Sequence, residues 1–200
     1  MVEPTSTSEA PAQTAASPFS AAWVRGGLRV RRSVLADVYA HALAEYPSEA
    51  CGYLYGPATD VAELAGSVRE KNEADRYHAL DPITFPRTSR MYFKMNELRL
   101  GRAFDERERS GEPIKVIYHS HCDAGSYFSR EDADTFASAP PDGGPKQLMW
   151  PTSFLVVSVV DGALAGHTLW AWSSEEQRFI EAAFDVADDS PAPAAPLRGD

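Results

Sequence analysis

The sequence predicts an α/β domain, in which helices pack on the faces of a mixed β-sheet. Segments with helical periodicity alternate with short runs rich in β-branched and aromatic residues. Asp161-Gly162 separates two apolar runs, residues 154–160 and 164–172, and Asp-Gly in that position is a strong hairpin signal. The chain of 200 residues is long enough to bury a substantial core. Alternating helices and strands together with a hairpin imply a mixed sheet covered by helices.

The first third of the chain is predicted to form a strand, a helix and a hairpin. Residues 28–31 form the first strand, and Ser33 is the predicted N-cap of a helix that Pro47 ends. The apolar run at residues 48–56 predicts the next strand. Residues 61–71 are the predicted hairpin partner of that strand.

The middle of the chain is predicted to hold a loop, a helix and a buried strand. Residues 72–90 contain two prolines and are predicted to be a loop with short extended pieces. Residues 96–110 form an amphipathic helix that Gly111 ends. Its apolar residues available for packing are Leu98, Leu100, Ala103 and Phe104. Residues 114–118 form a buried strand, and a further helix begins near Ser129.

The C-terminal part contains a connecting loop, the hairpin and one ambiguous element. Residues 140–151 are the predicted loop. The last element, residues 175–186, fits two structures. Ser174 with Gln177 resembles the capping box of a helix, whereas the aromatic residues of the segment also fit an edge strand.

Both ends of the chain are predicted to be disordered tails. Residues 1–22 are rich in Ser, Thr, Ala and Pro, and residues 187–200 contain the run PAPAAPLRGD. Such segments cannot bury enough apolar surface to offset the entropy lost on ordering. The folded domain is therefore predicted at residues 23–186.

The composition is that of a globular protein and argues against several classes. The formal net charge of −10 argues against a nucleic-acid partner, because phosphate contacts need a basic patch. The two cysteines, Cys51 and Cys122, are too few for a disulfide framework or a thiolate zinc finger. No apolar window is long enough to span a membrane, and the N-terminus lacks the pattern of a secretory signal. The predicted compartment is the cytoplasm.

The segment YHSHCDAGSYFSRED, residues 118–132, carries the most informative pattern of the chain. His119 and His121 continue the predicted strand, and period-two alternation puts both imidazoles on one face. With the nearby carboxylate of Asp132 they make a three-ligand set that leaves a fourth tetrahedral position for water. That is the arrangement of a catalytic zinc.

Ser129 and Asp132 also fit a purely structural interpretation. A serine three residues before an acidic residue, at the start of a helix, is a capping box. The ligand and the cap compete for the same carboxylate, and spacing alone favours neither.

A zinc hydrolase also needs a base that takes a proton from water, and Glu49 is the candidate. It opens the strand that follows Pro47. The simpler interpretation is a solvated residue at a strand entrance, because nothing in the local pattern requires Glu49 to face the histidines.

Glu49 followed by His119-x-His121-x7-Ser129-x2-Asp132 matches the JAMM motif in full. The chain thus resembles the JAMM/MPN+ (JAB-domain) family of zinc metalloproteases, and its short single domain resembles the prokaryotic type.

The sequence around the motif extends the resemblance to residues 28–172. The segment PSEACGYLYG, residues 47–56, looks like the family's P-x-E-x-x-G-x-L-x-G. Asn72 lies where many members have an asparagine. The resemblance implies the MPN/JAB fold, a largely antiparallel, curved β-sheet flanked by helices in a three-layer, cytidine-deaminase-like α-β-α arrangement.

The resemblance also implies a role for each residue of the motif. His119, His121 and Asp132 would bind one Zn²⁺ per chain, with water as the fourth ligand. Glu49 would be the general acid and base. Ser129 would hydrogen-bond the substrate carbonyl oxygen or the tetrahedral oxyanion.

The implied activity is hydrolysis of a peptide or isopeptide bond after the C-terminal Gly-Gly of a ubiquitin-like protein, including sulfur-carrier proteins. Residues 77–90 and 140–151 are the predicted walls of the groove for that tail. The alternative is a non-catalytic MPN-type module that binds a ubiquitin-like partner, which the complete motif disfavours. A zinc deaminase is disfavoured because its His-x-Glu and Pro-Cys-x-x-Cys motifs are missing.

One residue departs from the family pattern. The residue after the second histidine is commonly proline, and here it is Cys122. Either Cys122 faces away from the metal, or its thiolate approaches the metal and competes with water.

Overall fold

The computed structural model describes residues 21–189, so residues 1–20 and 190–200 of the predicted tails lie outside the described residues. The helices are α1 (Arg32–Glu45), α2 (Ala74–Leu80), α3 (Glu97–Arg109) and α4 (Arg130–Phe136), and a 3₁₀ turn precedes them at Ala22–Arg25. The strands are β1 (Leu28–Arg31), β2 (Cys51–Tyr55), β3 (Glu63–Leu64), β4 (Gly66–Glu70), β5 (Ile114–Cys122), β6 (Ala137–Ser138), β7 (Gln147–Leu148), β8 (Ser153–Val160), β9 (Ala163–Ser173), β10 (Arg178–Ala182) and β11 (Phe184–Ala187). None of the four described helices has both the length and the apolar character needed to cross a membrane.

A six-stranded sheet with the order β10-β9-β8-β5-β2-β4 organises the domain. Every neighbouring pair in it is antiparallel except β5 and β8, which are parallel. A three-stranded sheet, β11-β1-β3, and the short β6-β7 pair complete the strands. The largely antiparallel sheet confirms the predicted fold class.

The six-stranded sheet separates two hydrophobic cores, and β5 contributes to both. Val116 and Tyr118 pack with α1 on one face of the sheet. Ile117 packs on the opposite face with Leu100 of α3 and Phe136 of α4. The result is the predicted three-layer arrangement, and His119 and His121 continue the odd-numbered face that points toward α4.

The predicted N-cap of α1 is wrong. The helix begins at Arg32, so Ser33 lies inside its first turn, and Arg31 at the N-cap makes no side-chain cap bond. The carboxylate of Asp189 accepts hydrogen bonds from the Ser33 backbone N–H at 3.1 Å and from its hydroxyl at 2.7 Å. The free N–H of the helix end is therefore satisfied from the far end of the chain, which local sequence does not reveal.

Two further predictions for the middle of the chain are wrong. Part of residues 72–90 is the helix α2 rather than a loop, and only Ala74 of that helix is buried. The helix has no apolar stripe, and polar contacts hold it in place instead. Asn72 accepts a hydrogen bond from Ala74 N–H, and Asp75 accepts two from Ser89. Leu98, predicted to pack, is 78% exposed on the outer side of α3.

The ambiguous last element is a pair of strands. β10 pairs with β9 in the six-stranded sheet, and β11 pairs with β1 and extends to Ala187, one residue beyond the predicted boundary. Gln177 adopts a left-handed φ of 54° in the turn before β10, so the capping-box pattern marks a turn here. The β8–β9 hairpin is as predicted, with φ of 50° at Asp161 and 74° at Gly162.

Candidate metal centre

His119 and His121 lie on β5 and share the face of the sheet toward α4. His119 is fully buried, and His121 is 6% exposed. Ser120 between them points to the opposite face, where its hydroxyl accepts a hydrogen bond from the Ala50 N–H at 2.8 Å. Asp132, at the third position of α4, is also buried and completes a cluster of three metal-ligating side chains.

The three side chains converge at the spacing of a tetrahedral metal site. The Nε2 atoms of His119 and His121 are 3.1 Å apart, and these atoms lie 3.5 and 3.7 Å from the two carboxylate oxygens of Asp132. Zinc–nitrogen bonds of 2.0–2.1 Å at tetrahedral angles place neighbouring ligand atoms about 3.3–3.4 Å apart. The distances to Asp132 are long for hydrogen bonds but close to this spacing, so the donor set fits a zinc ion better than a hydrogen-bonded cluster.

Neighbouring groups orient both imidazoles. His121 Nδ1 lies 2.8 Å from the carbonyl oxygen of Gly125, so Nδ1–H donates to that carbonyl and Nε2 is left free for a metal. The ring of Phe93 stacks on His119 at 4.4 Å between ring centroids, and Tyr127 packs against His121 at 5.0 Å. The aromatic contacts restrict ring rotation and keep the Nε2 atoms facing Asp132.

Asp132 serves the capping box and the ligand cluster at once. Its Oδ2 atom accepts hydrogen bonds from the Ser129 N–H at 2.9 Å and from the Ser129 hydroxyl at 2.5 Å, while the hydroxyl accepts from the Asp132 N–H. Its Oδ1 atom faces His119. Burial opposes ionisation of Asp132, but His119, His121 and Ser129 outweigh it and lower the pKa. The carboxylate is therefore ionised, as a metal ligand must be.

Glu49 lies beside the cluster although it is distant in sequence. It comes two residues before Cys51, which is paired with His119 across the β2–β5 ladder, so it reaches the level of His121. Its backbone is held on both sides: the N–H donates to the Ser89 carbonyl at 2.6 Å, and the carbonyl accepts from Asn72 Nδ2 at 2.9 Å. The residue is buried, with 6% of its surface exposed.

Burial raises the pKa of Glu49 to about 8, although the charge of His121 partly opposes the shift. A carboxyl with a pKa near neutrality can both accept and return a proton, which suits a general acid and base. The geometry thus brings together all five residues of the sequence motif: Glu49, His119, His121, Ser129 and Asp132.

Four of the five residues of the motif, all except His119, border a cavity of about 170 Å³. Arg87, Arg90, Met91 and Tyr92 line it together with Glu49, His121, Ser129 and Asp132. The predicted wall at residues 77–90 thus contributes through its two arginines. No residue of the second predicted wall, 140–151, lines this cavity.

Cys122 ends β5 and lines the same cavity, but it is not one of the three side chains that converge as a candidate metal site. Burial raises the pKa of its thiol to about 11, and nearby Glu49 adds to the shift. In the metal-free protein the thiol is therefore protonated at neutral pH.

The other three histidines have structural roles, in keeping with their lack of ligand spacing. His41 forms a hydrogen bond with the Tyr118 hydroxyl, and His78 forms one with the Phe85 carbonyl. His167 forms a hydrogen bond with the hydroxyl of Tyr39.

Comparison with known proteins identifies similar families and folds. The family model of prokaryotic homologues of the JAB domain matches residues 31–174. The curated CysO-cysteine peptidases of Mycobacterium tuberculosis and Mycobacterium bovis are 30% identical over 108 residues. The alignment covers 52% of this chain and 62% of each relative, so the chain spans less than two thirds of their length.

Two solved structures share the fold. A protein from Desulfitobacterium hafniense superposes with a TM-score of 0.55 at 18% identity, covering 81% of this chain and 94% of that one. A protein from Salinibacter ruber gives a TM-score of 0.51 at 24% identity, covering 85% and 95% of the two chains. At these identities the likeness concerns the fold alone.

Proposed function

The chain belongs to the family of prokaryotic homologues of the JAB domain, and we propose that it is a zinc-dependent metallopeptidase. The proposed reaction is hydrolysis of a peptide or isopeptide bond after the C-terminal Gly-Gly of a ubiquitin-like, sulfur-carrier protein. The proposed catalytic unit is the domain at residues 23–186, which contains the whole matched segment.

One observation carries the proposal. A buried carboxyl with a pKa near neutrality, that of Glu49, lines one cavity with His121 and Asp132, which form the ligand set together with His119. Three ligands leave one position of a tetrahedral zinc open, which is typical of catalytic rather than structural sites. A purely structural ion would not require a buried carboxyl beside it.

The side chains have separate roles in the proposed reaction. His119, His121 and Asp132 hold the ion, which when bound lowers the pKa of water and polarises the scissile carbonyl. Glu49 accepts a proton from the attacking water and donates one to the leaving nitrogen. Ser129, at the N-cap of α4, turns its hydroxyl from Asp132 to the substrate oxygen as negative charge develops there.

The substrate class rests on resemblance and on the curated relatives. Those relatives are named as peptidases of a CysO-cysteine conjugate, which supports a sulfur-carrier protein as the partner of this chain. A tail that ends in Gly-Gly suits a small cavity, because glycine brings no side chain into it.

The test combines metal analysis with cleavage. The wild-type protein should contain about one zinc per chain and release the group attached to the Gly-Gly end of a sulfur-carrier fusion. Glu49→Gln should keep the zinc and lose activity by about 10²- to 10⁴-fold, the usual contribution of general acid–base catalysis. Glu175→Gln makes the same chemical change at an exposed position and should behave as wild type.

Two outcomes would contradict the proposal. Full activity of Glu49→Gln with zinc bound would refute the role of Glu49. Tight binding of the carrier without any turnover by the zinc-loaded wild type would favour the alternative, a non-catalytic module that binds a ubiquitin-like partner.

A further inference from the structure

The loop of residues 123–129 connects the two halves of the candidate metal centre. It follows β5, which carries both histidines, and ends at Ser129, the N-cap of α4. Within this loop the carbonyl oxygen of Gly125 accepts the hydrogen bond from His121 Nδ1 at 2.8 Å. Because that bond leaves Nε2 free for the ion, the direction of one backbone carbonyl sets the orientation of a ligand.

Side chains from β8 and β9 hold the carbonyls on either side of Gly125. The Ser158 hydroxyl donates to the Ala124 carbonyl at 2.5 Å, and the Trp170 indole N–H donates to the Ser126 carbonyl at 3.0 Å. Three consecutive carbonyls are thus each bound by a side chain, and the middle one is the partner of the ligand histidine. Glycine allows a wide range of backbone angles, so the two outer hydrogen bonds are needed to keep the Gly125 carbonyl in one direction.

The sheet, rather than the loop, determines where both donors lie. Ser158 pairs with His121 in the β5–β8 ladder, so the two side chains leave the sheet on the same face. Trp170 pairs with Phe154 of β8, which in turn pairs with Ile117 on that face of β5. Ser158 is also buried, so water cannot readily replace its hydrogen bond. The two donors are therefore fixed relative to the histidines before the loop is considered.

We propose that Trp170 and Ser158 are positioning residues of the metal centre, which orient His121 for the ion through the carbonyls that flank Gly125. Neither residue lines the cavity or belongs to the three-ligand cluster, so both act through the loop. The inference rests on the proposed zinc-dependent function and extends the centre to the β8–β9 hairpin. Loss of either hydrogen bond should lower the affinity for zinc beyond what its cost in stability explains.

The chain contains a matched pair of residues for the test. Trp23 also donates its indole N–H to a backbone carbonyl, that of Pro151, at 2.8 Å. The buried Ser153, on β8 like Ser158, donates its hydroxyl to the carbonyl of Trp23 at 2.6 Å. Neither control residue lines the cavity beside the centre. Trp23→Phe and Ser153→Ala thus remove the same kinds of hydrogen bond as Trp170→Phe and Ser158→Ala, but outside the loop.

Chelator competition on the full chain measures the affinity for zinc. Trp170→Phe and Ser158→Ala should each weaken binding about 3- to 10-fold, less than the roughly 10- to 100-fold typical of changes to a direct partner of a ligand. The effect of Trp170→Phe is limited because the Thr168 hydroxyl still contacts that of Ser126 at 2.8 Å. Phenylalanine also keeps a ring against Phe128, so the loss reports the indole N–H.

The controls separate positioning from stability. Trp23→Phe and Ser153→Ala should lose a comparable amount of stability in urea titration and still bind zinc as the wild type does. Proton NMR of the zinc-loaded protein gives a second readout. The Nδ1–H of His121 should give a slowly exchanging signal, assigned by its absence in His121→Gln. That signal should exchange faster in Trp170→Phe and Ser158→Ala and be unchanged in the two controls.

The outcomes distinguish this inference from the function on which it rests. If the wild type binds zinc, an unchanged affinity in Trp170→Phe or in Ser158→Ala overturns the role of that residue and leaves the peptidase intact. Equal weakening in the controls overturns positioning, because lost stability then explains the effect. Zinc binding that depends on both residues, without cleavage of a carrier fusion, overturns the peptidase and supports positioning. A wild type that binds no zinc overturns both.

Discussion

Replacing Asn72 with alanine is expected to release the segment that holds the proposed base. The Asn72 amide donates to the carbonyls of Glu49 and Tyr92 at 2.9 and 3.0 Å. Its carbonyl oxygen accepts from the N–H groups of Ala74 and Lys94, both at 3.0 Å. One side chain thus joins the start of β2, the start of α2 and the wall of the cavity.

The four hydrogen bonds of Asn72 determine how much stability the alanine variant loses. A hydrogen bond contributes about 0.5–1.5 kcal/mol net, so losing four without replacement would cost about 2–6 kcal/mol. Because Asn72 is only partly buried, water can replace part of this loss, and we expect about 2–4 kcal/mol. That is a large share of the 5–15 kcal/mol typical of a domain. The free energy of unfolding is measured by urea titration.

Asn96→Ala is the matched control. Asn96 also caps a helix with its side chain, but through a single bond to Arg99 N–H, and it lies outside the cavity. Its loss should cost about 0.5–2 kcal/mol of stability and leave kcat/KM unchanged. Asn72→Ala should lower kcat/KM as well, even under conditions where the protein is fully folded, because Glu49 loses one of its two backbone anchors.

Asn72→Asp separates stability from positioning. The aspartate retains acceptors for Ala74 and Lys94 but places a carboxylate oxygen against the carbonyls of Glu49 and Tyr92. Activity should therefore fall at least as far as in the alanine variant. The reasoning would be refuted if Asn72→Ala lost no more stability than Asn96→Ala and retained wild-type kcat/KM.

Four other predictions follow from the same structure. The pKa of Glu49 is raised from 4.5 to about 8, so its contribution to the stability of the metal-free protein is complete below pH 4.5 and is lost as the pH rises through 8. Glu49→Gln should therefore raise the melting temperature of metal-free protein above pH 8 and have less effect below pH 4.5. Ser129→Ala removes the two hydrogen bonds between the Ser129 hydroxyl and Asp132, keeps the one from Ser129 N–H, and should weaken zinc binding about 10- to 100-fold in a chelator competition. Gly52→Ala should prevent stable folding, because a Cβ there would lie 2.2 Å from a backbone oxygen and 2.6 Å from the Tyr118 ring. Gly101→Ala, on a helix with open space around it, should stabilise by about 0.5–1 kcal/mol in urea unfolding.

The sequence predicts correctly those elements whose conformation is determined by neighbouring residues, such as the strand β5 and the β8–β9 hairpin. The alternation of β5 follows from strand geometry, so the shared face of His119 and His121 could be read directly from their spacing. Asp161 and Gly162 adopt the left-handed conformations that the hairpin needs and that their residue types allow. In both cases the residue and its consequence lie within a few positions of each other.

The features that the sequence did not predict depend on contacts between residues that are far apart in the chain. Only one residue of α2 is buried, so the sequence shows no apolar periodicity that would predict the helix. The position of α2 depends on side chains that meet only in the folded chain. Glu49 looked like a solvated residue at a strand entrance because the groups that hold its backbone, on Asn72 and Ser89, lie 23 and 40 positions away. Arg90 looked like one of many surface arginines, because only the fold brings it to the cavity.

Asp132 shows why two structural readings of one residue need not exclude each other. The capping box uses Oδ2, which faces Ser129, and the cluster draws on Oδ1 toward His119 as well as on Oδ2 toward His121. A carboxylate can accept about four hydrogen bonds or coordinate bonds through its lone pairs, so cap and ligand fit on one group. The cap would also fix the rotamer of the carboxylate before a metal binds, which would reduce the entropy lost on binding. The helix start is therefore part of the candidate metal centre, and the spacing of Ser129 and Asp132 satisfies both requirements with the same two residues.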